Sequence, residues 1–331
     1  MLELGYKLCS EEHTPNELLR YASHAEEAGF TWAGISDHFH PWVDEQGQSP
    51  FVWSVLGGLA WATERLLIGT WVTCPIMRVS PAIVAQAAAT VSSMLPGRFF
   101  LGLGSGENLN EHITGRHWPE PKIRLEMLEE SVAVIRELWK GEEISHYGKY
   151  FTVEKARIYT LPADLPPIYL AASGKSATDL AGKVADGLIA VAPDASQVRR
   201  FEELAGAGKP KLAEITVCWA ESEEAARKTA LKSWPNMMTE GTLSTELARP
   251  AHFEMATKNA NEEEIGEKMP CGSDPEIFLK AINEYADAGF NYISLHQVGP
   301  QQEEFIEFCR DSVLPRLRKS REKSPEGTRN R

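Results

Sequence analysis

The chain lacks the features that mark secreted and membrane proteins. Its five cysteines are widely spaced, odd in number and form no Cys-x-x-Cys pair, so they predict reduced thiols in a cytoplasm rather than a disulfide framework. No apolar run approaches the length of a transmembrane helix. Glu3, Lys7 and Glu11 interrupt the N-terminus before the apolar core of a signal peptide could form. We therefore expect a cytoplasmic protein without a membrane partner.

Basic residues are also scarce. The sequence has 34 Lys and Arg against 47 Asp and Glu, which gives a formal net charge of −13. Since binding to a phosphate backbone requires a basic face, we expect no nucleic-acid partner. The remaining composition, 43% hydrophobic and 24% charged, is that of an ordinary globular protein.

Apolar runs and helical patterns alternate along most of the chain. They predict eight strands, at residues 3–8, 32–35, 66–73, 99–103, 167–172, 187–191, 215–220 and 291–295. This alternation favours an α/β fold of the (β/α)8 TIM-barrel type over an open doubly wound sheet. Residues 235–273, rich in Pro, Asn and Glu, form an insertion before the last strand. We predict a single domain over residues 1–319 and a polar, disordered tail over 320–331.

Two clusters of polar residues follow predicted strands. Asp37, His38 and Trp42 follow the second strand, and Ser105-Gly106-Glu107 with Asn110 follows the fourth. In a (β/α)8 barrel the carboxyl ends of the strands carry the catalytic side chains. Taken singly, the first cluster also fits a turn capped by Asp37 and the second a solvated loop. Their occurrence on one rim favours a functional site, where Glu107 could hold or deliver a proton.

Two further patterns have weaker specificity. Ser173-Gly174-Lys175-Ser176 precedes a helix and could bind a phosphate through free N–H groups, although a plain helix cap fits equally well. The histidines of His38-Phe39-His40 suggest a metal hydrolase, but that site would need further His and Asp ligands on other strand ends. Those strand ends offer Ser173, Val191 and His296 without an aspartate, so no metal site is expected.

Four segments together resemble the luciferase-like flavin and deazaflavin enzymes. They are residues 36–42, 70–78, 81–86 and 102–111. Within that family the chain is most similar to the coenzyme F420-dependent glucose-6-phosphate and secondary-alcohol dehydrogenase group. The resemblance extends from Leu4 to about Leu317. It implies a (β/α)8 barrel with an insertion before the last strand, often dimeric, so a homodimer is expected.

The resemblance also implies a reaction and a cofactor. Hydride would pass between C5 of F420 and a carbinol or carbonyl carbon of an alcohol or sugar-type substrate. His38 would be the base, Glu107 the proton partner at the deazaflavin ring, and Trp42 a wall of the substrate site. A non-prolyl cis peptide bond is expected at Trp71-Val72. The residues implied to bind the cofactor are Asp37, Trp71, Val72, Thr73, Cys74, Ser105, Gly106, Glu107, Asn110, Ala172, Ser173, Gly174 and Val191.

The chain departs from the sugar-phosphate enzymes at the positions implied to bind the substrate phosphate. Asp194 and Ser244 stand where those enzymes have lysines, and Lys268 stands for an arginine. An acid in place of a lysine repels a dianion, so we expect glucose 6-phosphate to be a poor substrate. Two alternatives stay open at this point: an FMN-dependent monooxygenase and a non-catalytic flavin-binding barrel.

Overall fold

A closed barrel of eight parallel strands forms the centre of the molecule. The computed structural model describes residues 2–239 and 241–323. The barrel strands are β1 (Glu3–Leu8), β2 (Trp32–Ile35), β3 (Leu67–Thr70), β4 (Phe99–Leu103), β5 (Ile168–Ala171), β6 (Gly187–Ala190), β7 (Lys211–Trp219) and β8 (Tyr292–Gln297). Each strand pairs with the next, and β8 also pairs with β1. The predicted (β/α)8 fold is confirmed.

Helices on the outside of the barrel connect the strands. The longer ones are α1 (Pro15–Ala28), α2 (Val52–Ala62), α3 (Pro81–Met94), α4 (Pro121–Leu138), α5 (Lys175–Val184), α6 (Ala195–Ala205), α7 (Glu223–Ser233) and α8 (Pro275–Asp287). A hairpin of Ile144–Tyr147 and Thr152–Ala156 follows α4. After β8 the chain is helical over Gln302–Phe308, a π-helical turn at Cys309–Val313, and Leu314–Lys323. None of the described helices is long and apolar enough to cross a membrane.

The segment between α7 and α8 is more regular than the sequence suggested. Its described residues form four short helices, Pro235–Met238, Leu243–Glu246, Pro250–Thr257 and Glu262–Lys268, and a two-residue strand, Cys271–Gly272, that pairs with the end of β7. Each helix is too short to be stable alone, so packing against the barrel must hold it. Phe253 is fully buried for this reason.

Large aromatic side chains fill the lower part of the barrel interior. Trp32 and Phe100 are fully buried there, at the centre of a cluster inside the strands. Glycines on the neighbouring strands make room for them: a Cβ atom at Gly5 would overlap the Trp32 ring, and one at Gly69 would overlap the Phe100 ring. The barrel is therefore a packed core, and only its C-terminal end is open for a ligand.

Some element boundaries differ from the sequence predictions. β3 ends at Thr70 instead of residue 73, because a non-prolyl cis peptide bond, Trp71-Val72, interrupts the strand as the family resemblance implied. β7 begins four residues earlier than predicted because its charged residues Lys211 and Glu214 are paired inside the fold. The last helix extends to Lys323, so residues 320–323 of the predicted tail are helical. The rest of that tail lies outside the described residues.

Candidate active site

A cavity of about 290 Å³ opens at the C-terminal end of the barrel. It brings together ten of the residues predicted from the sequence: Asp37, His38, Trp42, Trp71, Val72, Cys74, Gly106, Glu107, Asn110 and Val191. Four predicted cofactor contacts do not line it: Thr73, Ser105, Ala172 and Ser173. Gly174 lines a separate pocket, described below.

His38 presents one ring nitrogen to this cavity. Its Nδ1 lies 3.1 Å from the backbone oxygen of His40, which can only accept, so Nδ1 carries a hydrogen and donates it. Its Nε2 lies 3.4 Å from Oε1 of Glu11 and 3.8 Å from Oε2 of Glu107. In the neutral ring Nε2 is therefore the basic atom, and two carboxylates flank any proton that it accepts.

Glu11 is ionised although it is buried. Burial alone would raise its pKa, but the charges of His38 and Lys7 and a hydrogen bond from Ser36 outweigh burial and lower the pKa to about 2. The Ser36 hydroxyl and the Cys9 thiol both donate to Oε2, which leaves Oε1 directed at His38. Glu11 thus places a negative charge beside the His38 ring.

Asp37 forms part of the wall but its carboxylate is already occupied. Oδ2 accepts from the Thr73 hydroxyl at 2.7 Å, and Oδ1 accepts from Nη2 of Arg78 at 2.7 Å. Arg78 also faces Glu111, whose Oε2 accepts the Arg78 backbone N–H at 2.6 Å. Burial raises the pKa of Glu111, and the contacts with Arg78 lower it. Burial has the larger effect, so the pKa is about 7. This network fixes the loops after β2 and β3 relative to each other, and Thr73 contributes through Asp37 instead of lining the cavity.

Asn110 joins the loop after β4 to the loop that carries His38. Its Nδ2 donates to Oε2 of Glu107 at 3.1 Å, and its Oδ1 accepts the backbone N–H groups of Phe39 and His40 at 2.9 and 3.3 Å. The Glu107 side chain remains 32% exposed, at the open side of the cavity. Gly106 has a φ of +79° and packs so closely on Cys74 that a side chain would overlap the sulfur. These contacts direct Glu107 into the cavity.

Trp42 closes the cavity on the side of the insertion. Its ring lies 5.0 Å from the His38 ring, centre to centre, and meets the Phe253 ring edge-on at 5.2 Å. Phe253 belongs to the short helix Pro250–Thr257. The insertion therefore supports the aromatic wall beside His38.

Part of the cavity lining forms an apolar shelf. Trp71, Val72, Ala171, Ile189 and Val191 contribute to it. Val191 keeps 65% of its surface exposed, although it is apolar and lies beside the packed barrel interior. A flat ring laid on the shelf would cover this surface, so these residues fit the deazaflavin that the family resemblance implies.

A pocket of about 310 Å³ lies beside the N-termini of α5 and α6. Gly174 directly precedes α5, with a φ of +93° and no side-chain cap, so the first N–H groups of the helix are available to bind an anion. Lys175 and Arg200 line this pocket, but both are paired with Asp179 at 2.7 Å. Asp194 caps α6 here and lies outside the cavity that holds His38.

Sequence reasoning missed the charged residues inside the barrel. Nζ of Lys7 lies 3.2 Å from Oε2 of Glu214, and both side chains line the cavity together with Glu11. The charges of Lys7 and His296 and their hydrogen bonds lower the pKa of Glu214 to about 2 in spite of its burial. The available signal was a lysine and a glutamate within otherwise apolar strands, which is rare unless the charges are paired.

The histidines considered as metal ligands do not converge. Nδ1 of His40 faces the backbone oxygen of Leu109 at 2.9 Å, and its ring stacks on His112. Among the described residues, the group with metal-ligand spacing is Cys9, Glu12 and His296, which includes neither His38 nor His40.

Comparisons with known proteins identify relatives of this chain. A family model described as luciferase-like monooxygenase matches residues 3–292. The F420-dependent glucose-6-phosphate dehydrogenase of Microbacterium testaceum is 35% identical over 330 residues, which cover 96% of this chain and 98% of the relative. The Mycobacterium avium protein of the same name is 34% identical over 333 residues. Among solved structures, an F420-dependent secondary alcohol dehydrogenase in complex with an F420-acetone adduct has a TM-score of 0.88 and 31% identity, covering 95% of this chain and 98% of that one.

Proposed function

The chain belongs to the luciferase-like monooxygenase family, and we propose that its reaction is hydride transfer at the cavity that holds His38. It is a coenzyme F420-dependent oxidoreductase that acts on CH–OH groups, like the relatives named above. The observation that carries the proposed site is the position of His38 Nε2, between Glu11 and Glu107 and beside the apolar shelf.

His38 is the proton acceptor in this proposal. When bound, F420 supplies the ring carbon that exchanges the hydride. As hydride leaves the carbinol carbon, Nε2 of His38 takes the hydroxyl proton, while the His40 carbonyl keeps the ring in the required tautomer. Glu11 stabilises the resulting positive charge at 3.4 Å. Glu107 would hold or deliver the proton at the deazaflavin ring, and Asn110 positions its Oε2 for this role.

The cofactor would lie across the mouth of the barrel. Trp71, Val72 and Val191 would hold its ring against the apolar shelf, and the free N–H groups at Gly174 would hold a phosphate of its tail. The chain passes from one region to the other after β6. Val191 lines the cavity that holds His38, and Asp194, three residues later, lines the pocket that contains Gly174. Ser105, Ala172 and Ser173 remain predicted contacts of the same ligand.

The cavity is better suited to a neutral substrate than to a phosphate ester. Five acidic side chains line it: Glu11, Asp37, Glu107, Glu111 and Glu214. Its lysine, Lys7, is already paired with Glu214. Lys268 lines an adjoining cavity of about 650 Å³ with Lys280, Glu267 and Glu284, so that region has no excess of positive charge. A secondary alcohol or an uncharged sugar fits this balance.

The proposed assembly is a homodimer formed through α2 and α3. Neither helix contains a charged residue. Trp61 is 88% exposed, and Phe51, Ile83 and Met94 are also exposed along the same pair of helices. A surface helix without charge is typical of a buried interface, so a second copy of this chain is the expected partner.

A titration with two cofactors and two substrates tests the proposed function. We expect F420 to bind more tightly than FMN by fluorescence titration, and simple secondary alcohols to reduce F420 with a higher kcat/KM than glucose 6-phosphate. Equal affinity for FMN and F420 would favour the FMN-dependent monooxygenase. F420 binding without reduction by any alcohol or sugar would favour the non-catalytic flavin-binding barrel.

A further inference from the structure

A buried glutamine connects the loop that carries the base to the insertion. Gln46 is 6% exposed. Its Oε1 accepts the backbone N–H of Trp42 at 2.8 Å, and its Nε2 donates to the backbone oxygen of Ser233 at 2.9 Å and to Oδ1 of Asn236 at 3.2 Å. All donors and acceptors of this buried amide therefore have a partner.

These bonds fix the orientation of two amide groups. A backbone N–H can only donate and a backbone carbonyl can only accept, so Trp42 and Ser233 together decide which end of the Gln46 amide is oxygen. The Nε2 group of Gln46 then donates to Asn236, so the Asn236 atom that faces it must be the acceptor Oδ1. The reverse orientation of Asn236 would place two donors against each other. Nδ2 of Asn236 consequently points away from Gln46, and it donates no hydrogen bond to another described residue.

Asn236 lines the cavity that also contains His38 and Trp42. The other walls on this side are the rings of Trp42 and Trp234, which cannot bind a substrate oxygen through their apolar faces. Lys7 is paired with Glu214, and the acidic residues of the cavity can only accept hydrogen bonds when ionised. The amide of Asn236 is thus an uncharged donor available to an oxygen atom of a substrate.

We propose that Asn236 is a specificity-determining residue that donates from Nδ2 to a second oxygen of a neutral substrate, and that Gln46 is a positioning residue for Asn236 and Trp42. The substrate class is a secondary alcohol, or the matching ketone, with an additional hydroxyl or carbonyl oxygen. This proposal rests on the proposed function, since it assumes that the reacting carbon lies beside His38.

The test compares compounds that differ by one hydroxyl group. 2,3-Butanediol and 2-butanol are assayed for F420 reduction by the wild-type enzyme and by Asn236→Ala, Asn236→Asp and Gln46→Leu. Wild-type enzyme should prefer the diol. Asn236→Ala should lower kcat/KM about 10-fold for the diol and less than threefold for 2-butanol, because one hydrogen bond is lost with only one of them. Gln46→Leu should raise KM for the diol more than it lowers kcat. Asn259 is an exposed asparagine in the same insertion, and Asn259→Ala is the matched control. It should leave kcat/KM unchanged for both the diol and 2-butanol.

A binding measurement separates this proposal from the proposed function. Tryptophan fluorescence is followed while 3-hydroxy-2-butanone or 2-butanone is titrated without turnover, using Trp42 and Trp234 as reporters. One outcome is that Asn236→Ala and Asn236→Asp remove the preference for the hydroxyketone, while neither the wild type nor any variant reduces F420. The role of Asn236 in binding the second oxygen is then supported, and the proposed reaction is wrong. If F420 is reduced while these variants change both compounds equally, or if the wild type has no preference, the role of Asn236 is wrong.

Discussion

The two carboxylate neighbours of His38, Glu11 and Glu107, differ in burial and in their hydrogen bonds. Glu11 is buried and held by Ser36 and Cys9, whereas Glu107 is partly exposed and held by Asn110. A fixed, buried charge suits the stabilisation of a protonated base, and a more accessible acid suits exchange of a proton at a bound ring. The proposed reaction therefore uses two residues of the same type for different tasks.

Replacement of His38 by alanine tests the role of the base. We expect kcat for alcohol oxidation to fall about 100-fold or more, as losses of a general base typically do, while F420 affinity stays nearly unchanged. His24→Ala, on α1 outside the cavity, is the control. Loss of F420 binding in His38→Ala, or a kcat within threefold of the wild type, would contradict the assignment.

Glu12 should make stability depend on pH. Its Oε1 accepts the N–H of Gly299 at 3.0 Å, and burial together with the charge of Glu11 raises its pKa to about 8. An unfolded glutamate has a pKa of about 4.3, so the folded state binds this proton more tightly. The stabilising effect is complete below that unfolded value and is lost as the pH rises through about 8.

The matching experiment is Glu12→Gln, which imitates the protonated acid. We expect the free energy of unfolding of the wild type, relative to this variant, to fall steadily between about pH 5 and pH 8. Urea unfolding at several pH values measures the difference, with Glu64→Gln, an exposed acid, as the control. A constant difference across this range would mean that Glu12 is ionised in the folded protein.

At the level of elements, the loop after β2, the end of α7 and the insertion act as one unit. From the insertion, Phe253 packs on Trp42 and Glu254 accepts the backbone N–H of Asp44 at 3.1 Å. From α7, Lys232 pairs with Glu45 at 2.8 Å. The insertion is thus part of the active-site wall. Its packing should influence substrate binding more than cofactor binding, because it supports Trp42, whereas none of the residues of the apolar shelf belongs to the insertion.

Phe253→Ala tests this coupling. Removal of a fully buried ring should lower the free energy of unfolding by about 3 kcal/mol. The loosened Trp42 should raise KM for the alcohol severalfold while the Kd for F420 changes little. Chemical unfolding and steady-state kinetics measure the two effects. Met255→Ala, on the same helix but 71% exposed, should change neither quantity; an increase in the Kd for F420 alone would contradict the coupling.

For the whole molecule, the uncharged α2 and α3 face is the strongest indication of an assembly. Trp61→Glu places a charge in the proposed interface, where desolvation would be costly. We expect a dimer of the wild type by analytical ultracentrifugation and a monomer or a much weaker dimer of the variant. Tyr147→Glu, an exposed aromatic on the hairpin after α4, serves as the control. A monomeric wild type would exclude this interface.

The sequence by itself determined the barrel and several of the polar residues at its rim. Alternating apolar runs and helix caps place eight strands in order, since burial requires the apolar faces to meet. Local motifs were sufficient to select His38, Trp42 and Glu107, because each follows a strand in the sequence and strand ends share one rim. The cis peptide bond at Trp71-Val72 came from the family resemblance, as no local propensity indicates it.

Only the tertiary structure decided which residues act together. Glu11 reaches His38 across 27 residues of chain, and Lys7 reaches Glu214 across the barrel, so neither contact is visible in a local pattern. The same holds for Gln46, whose polar atoms bind partners in the β2 loop, at the end of α7 and in the insertion. A sequence encodes periodicity along the chain, whereas pairing between distant side chains depends on how closure of the barrel brings its strand ends together.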